Sequence, residues 1–124
     1  MPDAADIPRR LAELAALTPG WVDGEGRPLL EGAVPWLADW LQARAAEGMP
    51  VPYLYLTEEG DLQAELDVGR LGVEMTMGPE SRRAEWWDFD RDASGQLDMT
   101  DPVAVAEWVA AWPERVRRPE VQGA

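Results

Sequence analysis

The sequence predicts an α+β domain in which two N-terminal helices precede an antiparallel meander of about four strands and one helix follows it. Before residue 48 and after residue 101, apolar residues recur every three to four positions, as in amphipathic helices. Between residues 52 and 89 they alternate with polar residues, as in half-buried strands. A chain of 124 residues suits one core, so we expect a single domain over residues 1–118 and a frayed tail over 119–124.

The first predicted helix begins near Asp6, a plausible N-cap, and ends before Gly20. The second extends from Leu29 to Glu47, and Pro35 either starts its regular part or kinks it, because proline lacks a backbone donor. Between the two helices a loop carries Trp21, which we expect to pack against the core.

The last helix is predicted to begin at Thr100-Asp101-Pro102, where a capping residue precedes a proline. Its apolar positions recur at helical spacing and should form the buried stripe. They are Val105, Ala106, Val109, Trp112 and Val116.

The four strands are predicted over residues 52–57, 62–68, 71–77 and 82–89. Met75 and Met77 should face the core with the other apolar residues of the third strand. Adjacent residues of a strand point to opposite faces, so Trp86 and Trp87 cannot both enter one core. Trp87 shares its face with Arg83 and Glu85, the more polar set, so we expect Trp86 to be buried and Trp87 to be partly exposed at an interface. A second small core around Trp87 is the alternative.

Composition restricts the chemistry that the chain can perform. It has 24 acidic residues against 11 arginines, no lysine, histidine, cysteine or asparagine, and a net charge of −13. The imidazole, thiolate and amine groups used by most enzymes are therefore missing, and we predict a protein that is not an enzyme and has no cofactor or metal. An enzyme that uses carboxylates alone remains the alternative.

The same charge disfavours direct binding to nucleic acid or to membranes, since both are anionic. No run of apolar residues approaches the length of a membrane span, and no cysteine is present to form disulfides. We therefore predict a soluble, cytoplasmic protein. Its oligomeric state is left open.

The acidity is concentrated in the predicted sheet. Residues 58 to 101 carry thirteen acidic side chains and four arginines, a net charge of −9. We predict that these residues engage a basic protein partner, although charge that serves only solubility is the alternative. The predicted partner-binding residues are Glu58, Glu59, Asp61, Glu65, Asp67, Glu74, Glu85 and Trp87.

The segment from Asp90 to Asp101 matches the twelve-residue calcium loop of EF-hands, with oxygen-bearing residues at positions 1, 3 and 5 and Gly95 at position 6. Position 12 is Asp rather than the longer Glu, no second loop exists, and a strand is predicted where an EF-hand has its entering helix. The competing interpretation is a β-hairpin with Ser94-Gly95 at its turn. We predict that the segment binds no calcium.

Three segments resemble a family of small bacterial proteins of unknown function, which share a Gly-Trp-x-Asp-Gly loop, a Pro-Thr-x-x-Gly-Gly hairpin and a Gln-x-Glu-Trp strand. The segments are Gly20-Trp21-Val22-Asp23-Gly24, Pro52-Tyr53-Leu54-Tyr55-Leu56-Thr57-Glu58-Glu59-Gly60-Asp61-Leu62-Gln63-Ala64-Glu65, and Arg83-Ala84-Glu85-Trp86. The similarity spans about residues 11 to 112 and departs from the pattern at Leu56, Asp61 and Leu66. The resemblance implies a hairpin over residues 82 to 99 and supplies no activity.

Together, the acidic face, the exposed tryptophan and the missing catalytic groups favour a non-enzymatic protein-binding module. Such a module could be an antitoxin, immunity or inhibitor protein, or a small subunit of a bacterial defence or mobile-element assembly. Acidic surfaces of this kind can occupy the basic groove of a nucleic-acid-binding protein.

Overall fold

The computed structural model describes residues 3–21, 24, 26–68, 71–89 and 92–111, except for the side chains of Glu31, Asp67, Val68 and Leu71. Two short 3₁₀ turns, Ala4–Asp6 and Glu31–Ala33, lead into the first two helices. The helices are α1 (Ile7–Ala15), α2 (Val34–Ala46) and α3 (Pro102–Ala110), and the strands are β1 (Tyr53–Leu56), β2 (Leu62–Val68), β3 (Leu71–Met77), β4 (Arg83–Asp88) and β5 (Ala93–Asp98). The α+β class is confirmed.

The strands form one antiparallel meander in the order β1-β2-β3-β4-β5. The predicted number of about four strands was therefore too low. Strand β5 was missed because Ser94-Gly95 looked like a turn, whereas both residues lie within the strand, where Gly95 pairs with Trp86 and Ser94 with Trp87. The predicted hairpin over residues 82 to 99 is present, and its turn lies between Asp88 and Ala93.

Helix starts follow capping chemistry, with two corrections. Asp6 makes no side-chain cap to α1; the Asp3 carboxylate instead accepts a hydrogen bond from the Ala5 amide at 3.1 Å, in a capping box that Asp6 completes. Helix α2 begins at Val34 rather than Leu29, because Pro35 belongs in its first turn, where no amide donor is required. Asp101 caps α3 as predicted, accepting from the Val103 amide at 3.0 Å.

The core lies between the helices and one face of the sheet, here called the inner face. Leu11 of α1, Leu37 and Leu41 of α2, and Met75 and Met77 of β3 are each fully buried. The inward orientation of the two methionines is confirmed. The Trp40 indole N–H donates to the Met99 carbonyl at 3.0 Å and so links α2 to the segment after β5.

Two partly buried tryptophans, Trp21 and Trp86, pack against the core. Trp21 is half-buried against it, as predicted, and donates to the Arg27 carbonyl at 2.9 Å. Trp86 packs on Trp108 of α3, with ring centroids 5.2 Å apart. A Cβ atom at Gly95 would lie 2.8 Å from the Trp86 indole, so only glycine lets this ring lie flat on β5.

Helix α3 buries Val105, Trp108 and Val109, whereas Ala106, predicted to be buried, is exposed. The predicted contributions of Trp112 and Val116, and the predicted tail, fall outside the described residues. Within the described part of the chain, no helix combines the length and hydrophobicity needed to cross a membrane.

The adjacent tryptophans Trp86 and Trp87 face opposite sides of the sheet. Trp86 is half-buried against the core and Trp87 is 38% exposed, which confirms the predicted parity. We expect Trp86→Ala to lower the free energy of unfolding by about 3 kcal/mol, because it removes the contacts with Trp108 and Gly95. Trp87→Ala should cost less than about 1 kcal/mol. Chemical denaturation measures both, and equal destabilisation by the two changes would contradict the assignment.

Candidate functional site

The face of the sheet turned away from the helices, here called the outer face, is the candidate site. Cross-strand pairing aligns its side chains in rows that run across the strands. All of these side chains are exposed or half-buried. They are Tyr53, Tyr55, Gln63, Glu65, Glu74, Thr76, Arg83, Glu85, Trp87, Ser94, Gln96 and Asp98.

The central row of the outer face reads Tyr53, Glu65, Glu74, Trp87 and Ser94, one residue from each strand. Glu65 and Glu74 are direct cross-strand partners, and like charges in this arrangement are destabilising. On its other side Glu74 pairs with Trp87. The row therefore places two carboxylates and an exposed indole next to one another.

Aromatic side chains border these carboxylates, and the sequence analysis missed three of them. Tyr53 and Tyr55 are each 42% exposed at the β1 edge, and Phe89 is 61% exposed beyond the end of β4. Phe89 lies close to Gly72, whose carbonyl accepts a hydrogen bond from the Phe89 amide at 3.0 Å. The alternation of Tyr53 and Tyr55 with leucines in the sequence is a pattern that predicts their outward orientation.

The outer-face carboxylates receive no ion pair from any described arginine. The three ion pairs among the described residues, Arg9–Asp6, Arg10–Glu13 and Arg44–Glu47, all lie at α1 and α2. Described arginines also stack on other aromatic rings. These stacks are Arg10 on Tyr55 at 5.9 Å, Arg44 on Trp40 at 5.0 Å and Arg82 on Trp36 at 4.9 Å. Within the described residues, Trp87 has no such cation over its ring.

Asp61 extends the negative charge to the end of the outer face. Its backbone N–H donates to the Thr57 hydroxyl at 3.0 Å, which closes the hairpin turn between β1 and β2. Partial burial, reinforced by the nearby carboxylates of Glu59 and Glu85, raises the pKa of the Asp61 side chain. The negative charges of Glu59 and Glu85 thus act on Asp61 at this end of the outer face.

A cleft of about 390 Å³ lies beside Asp61. Gly78 leaves room there, and the Ser81 hydroxyl occupies the space that a Cβ atom at Gly78 would fill. The cleft is lined by Asp61, Thr76, Gly78, Ser81, Arg83, Ala84, Glu85 and Gln96.

Among the described residues, two outer-face carboxylates have local donors: Glu65 accepts a hydrogen bond from the Gln63 side-chain amide at 3.3 Å, and Asp98 accepts two from Thr100. The Thr100 hydroxyl donates to the Asp98 carboxylate at 2.6 Å and the Thr100 amide at 3.0 Å, and these bonds, together with the charge of Arg83, lower the pKa of Asp98. Asp98 is thus partly compensated at the β5 edge. The negative charge that no described arginine pairs with lies farther from this edge, on the same outer face, at β2 and β3.

Most of the predicted binding residues come together. Asp61, Glu65, Glu74, Glu85 and Trp87 share the outer face. Glu58 and Glu59 are exposed in the adjoining turn, which is held by a hydrogen bond from the Arg27 amide to the Glu58 carbonyl at 2.8 Å. Asp67 lies opposite Gly72 in the β2–β3 register, and its side chain is outside the described residues. Asp88 is a further carboxylate, buried on the inner face, that was not predicted from the sequence.

Residues 92–101 do not have the backbone of an EF-hand loop. Strand β4 stands where an EF-hand has its entering helix, and residues 93–98 of the proposed loop form strand β5. Asp90 and Arg91 lie outside the described residues. Among the described residues, no group of three or more acidic side chains is placed to hold a metal ion.

Comparison of the chain with models of protein families, with curated proteins and with solved structures found no significant match. The resemblance to small bacterial proteins of unknown function therefore stays a prediction, and the outer face is interpreted from its own chemistry.

We expect calorimetric titration with Ca²⁺ to show no binding at micromolar concentrations, because a strand cannot wrap its carbonyl and carboxylate oxygens around one ion. Micromolar binding that is abolished by Asp90→Ala would contradict this prediction.

Asp61→Asn should stabilise the fold at neutral pH. Because the folded state raises the pKa of Asp61 above its ordinary value of 3.8, the ionised carboxylate disfavours folding, and this cost disappears as the pH falls through the raised pKa. Since the side chain is only partly buried and solvent screens its charge, we expect a gain of only about 0.3–1 kcal/mol. The gain should shrink as the pH is lowered toward 3.8. Denaturation at several pH values, with Asp39→Asn as control, measures it, and a gain independent of pH would contradict the assignment.

Proposed function

We propose that the protein is a non-enzymatic binding module whose outer face engages a basic protein partner. The observation that supports this most strongly is the central row, in which Glu65 and Glu74 oppose each other beside the exposed Trp87. No described arginine neutralises these groups. A surface that is costly to the free protein and complementary to a cation is best explained by a partner that supplies the cation.

The energetics favour arginine or lysine from the partner over other contacts. Two glutamates that are directly paired across neighbouring strands cost roughly 0.2–1 kcal/mol of stability, and a cation placed between them would remove this repulsion. The indole of Trp87 offers a second attraction, since a cation over an exposed aromatic ring gains about 0.5–1 kcal/mol. Tryptophan and arginine are also the residues that most often dominate binding energy at protein interfaces.

The partner class that fits this face is a protein with its own basic groove, such as a toxin or a nucleic-acid-binding enzyme. The module would then act as an antitoxin, immunity or inhibitor protein, or as a subunit of a bacterial defence or mobile-element assembly. Phosphate backbones and anionic lipid surfaces would be repelled by the same charges, so we expect no direct contact with either. We propose a cytoplasmic location for such a complex.

The proposal is tested by capturing partners from a bacterial lysate with matched variants. Glu65→Gln/Glu74→Gln and Trp87→Ala alter the outer face, whereas Asp39→Asn/Glu107→Gln makes the same change in net charge on α2 and α3. A specific partner should be retained by the wild type and by the helix variant, and lost from both outer-face variants.

With the captured partner purified, the affinity should fall by more than tenfold between roughly 0.05 and 0.5 M salt, because exposed charges are screened over a shorter distance at high salt. An affinity that is independent of salt would contradict the electrostatic basis of the proposal. If the helix variant and the outer-face double variant lowered the affinity for the partner equally, binding would depend on the total charge of the protein and not on the outer face.

A further inference from the structure

The five-stranded sheet ends in two edges that differ in how they are covered. At the β1 edge, the Leu54 carbonyl accepts a hydrogen bond from the Arg10 side chain at 3.0 Å, and α1 packs beside the strand. At the other edge, α3 packs against β5, but the side chains of Ser94 and Gln96 lie on the outer face and are both exposed. Exposed strand edges are templates for pairing with another chain unless they are blocked.

The ladder fixes which groups of β5 point outward. The Met99 amide donates to the Arg82 carbonyl at 3.0 Å, which marks residues 82 and 99 as a hydrogen-bonded pair. Because such pairs alternate along an antiparallel ladder, the odd-numbered residues of β5 bond to β4. The N–H and C=O groups of Ser94 and Gln96 therefore point away from the sheet, and neither residue's backbone is hydrogen-bonded to another described residue.

The side chains beside this edge are suited to a strand with basic residues. Ser94 lies in the row of Trp87 and Glu74, and Gln96 lies in the row of Glu85. A residue added opposite Ser94 would be about 10 Å from Trp87, two strand spacings away, and a long arginine can extend over the small serine to reach it. A second copy of this chain is disfavoured, since each copy carries a net charge of −13.

We propose that β5 is a strand-addition site. An extended segment of the basic partner pairs antiparallel with residues 94–98 as a sixth strand, and its alternate basic side chains lie across the outer face. This inference rests on the proposed function and specifies how the partner is held: main-chain hydrogen bonds from Ser94 and Gln96 give the register, and the carboxylates select the side chains.

The probe is a peptide that alternates arginine with threonine. In an antiparallel pairing, residues opposite Ser94 and Gln96 share their face, so the amides that bond to β5 belong to the arginines. N-methylation of the arginine amides should weaken binding about tenfold or more, as expected for the loss of main-chain hydrogen bonds. The matched peptide methylated at the threonine amides should bind nearly as well as the parent.

A change in the protein tests the same edge. Gln96→Pro removes one outward-facing donor and none of the bonds to β4, and proline is tolerated at such positions of edge strands. It should lower the affinity for the unmodified peptide by about tenfold, whereas Gln96→Thr, which keeps the N–H, should leave the affinity unchanged. Hydrogen exchange at Ser94 and Gln96 should also slow on peptide addition. If Gln96→Pro fails to fold, the two methylated peptides still test whether β5 pairs with an added strand.

Equal binding of the two methylated peptides, or no binding of the parent peptide, would overturn the edge assignment. In the first case, weakening by Glu65→Gln/Glu74→Gln would still support an outer-face site, so the two proposals fail separately. Slow exchange at Ser94 and Gln96 without peptide, together with a sedimentation mass of two chains, would make a second copy the occupant and would also overturn the proposal.

Discussion

The two-residue period of the strands, fixed by burial of the inner face, determines which side chains reach the outer face of this sheet. Leu62, Met75 and Met77 are fully buried, so no strand can shift by one residue without exposing its apolar side chains and burying its charges. The core therefore specifies the register, and the register in turn places Glu65 against Glu74 and Trp87 beside them. The outer face is a consequence of packing on the opposite side of the same strands.

The protein distributes its positive charge in a way that leaves the outer face negative. Arg9, Arg10 and Arg44 pair with carboxylates at α1 and α2, and Arg10, Arg44 and Arg82 stack on Tyr55, Trp40 and Trp36. Arg83 is on the outer face, but its charge acts on Asp98 at the β5 edge. Each of these contacts lies outside the central row. A chain selected only for stability would gain by exchanging Glu74 for a basic residue, since opposite charges across a strand pair attract. The repulsion between Glu65 and Glu74 is therefore a cost to the fold that the proposed basic partner would remove.

Much of this arrangement was predictable because it depends on local patterns. Period-two alternation identified β2 and β3, and the parity of Trp86 and Trp87 followed from strand geometry alone. Strand β5 was not predictable in the same way, since Gly95 is in the strand for a tertiary reason: the Trp86 ring occupies the space of a side chain. The raised pKa of Asp61 also required the structure, because it arises first from burial of the side chain and then from the charges of Glu59 and of Glu85, which is distant in sequence.

The neighbouring indoles of Trp86 and Trp108 give the molecule an optical signal of its fold. Rings 5.2 Å apart and inclined by 48° have coupled electronic transitions, so their near-ultraviolet circular dichroism reports whether α3 is docked on the sheet. The next residue, Trp87, faces solvent, so covering the outer face changes its contribution to the emission of the seven tryptophans. An emission change that is absent from Trp87→Ala therefore reports occupancy of the outer face, and the circular dichroism reports the integrity of the fold, without an added label.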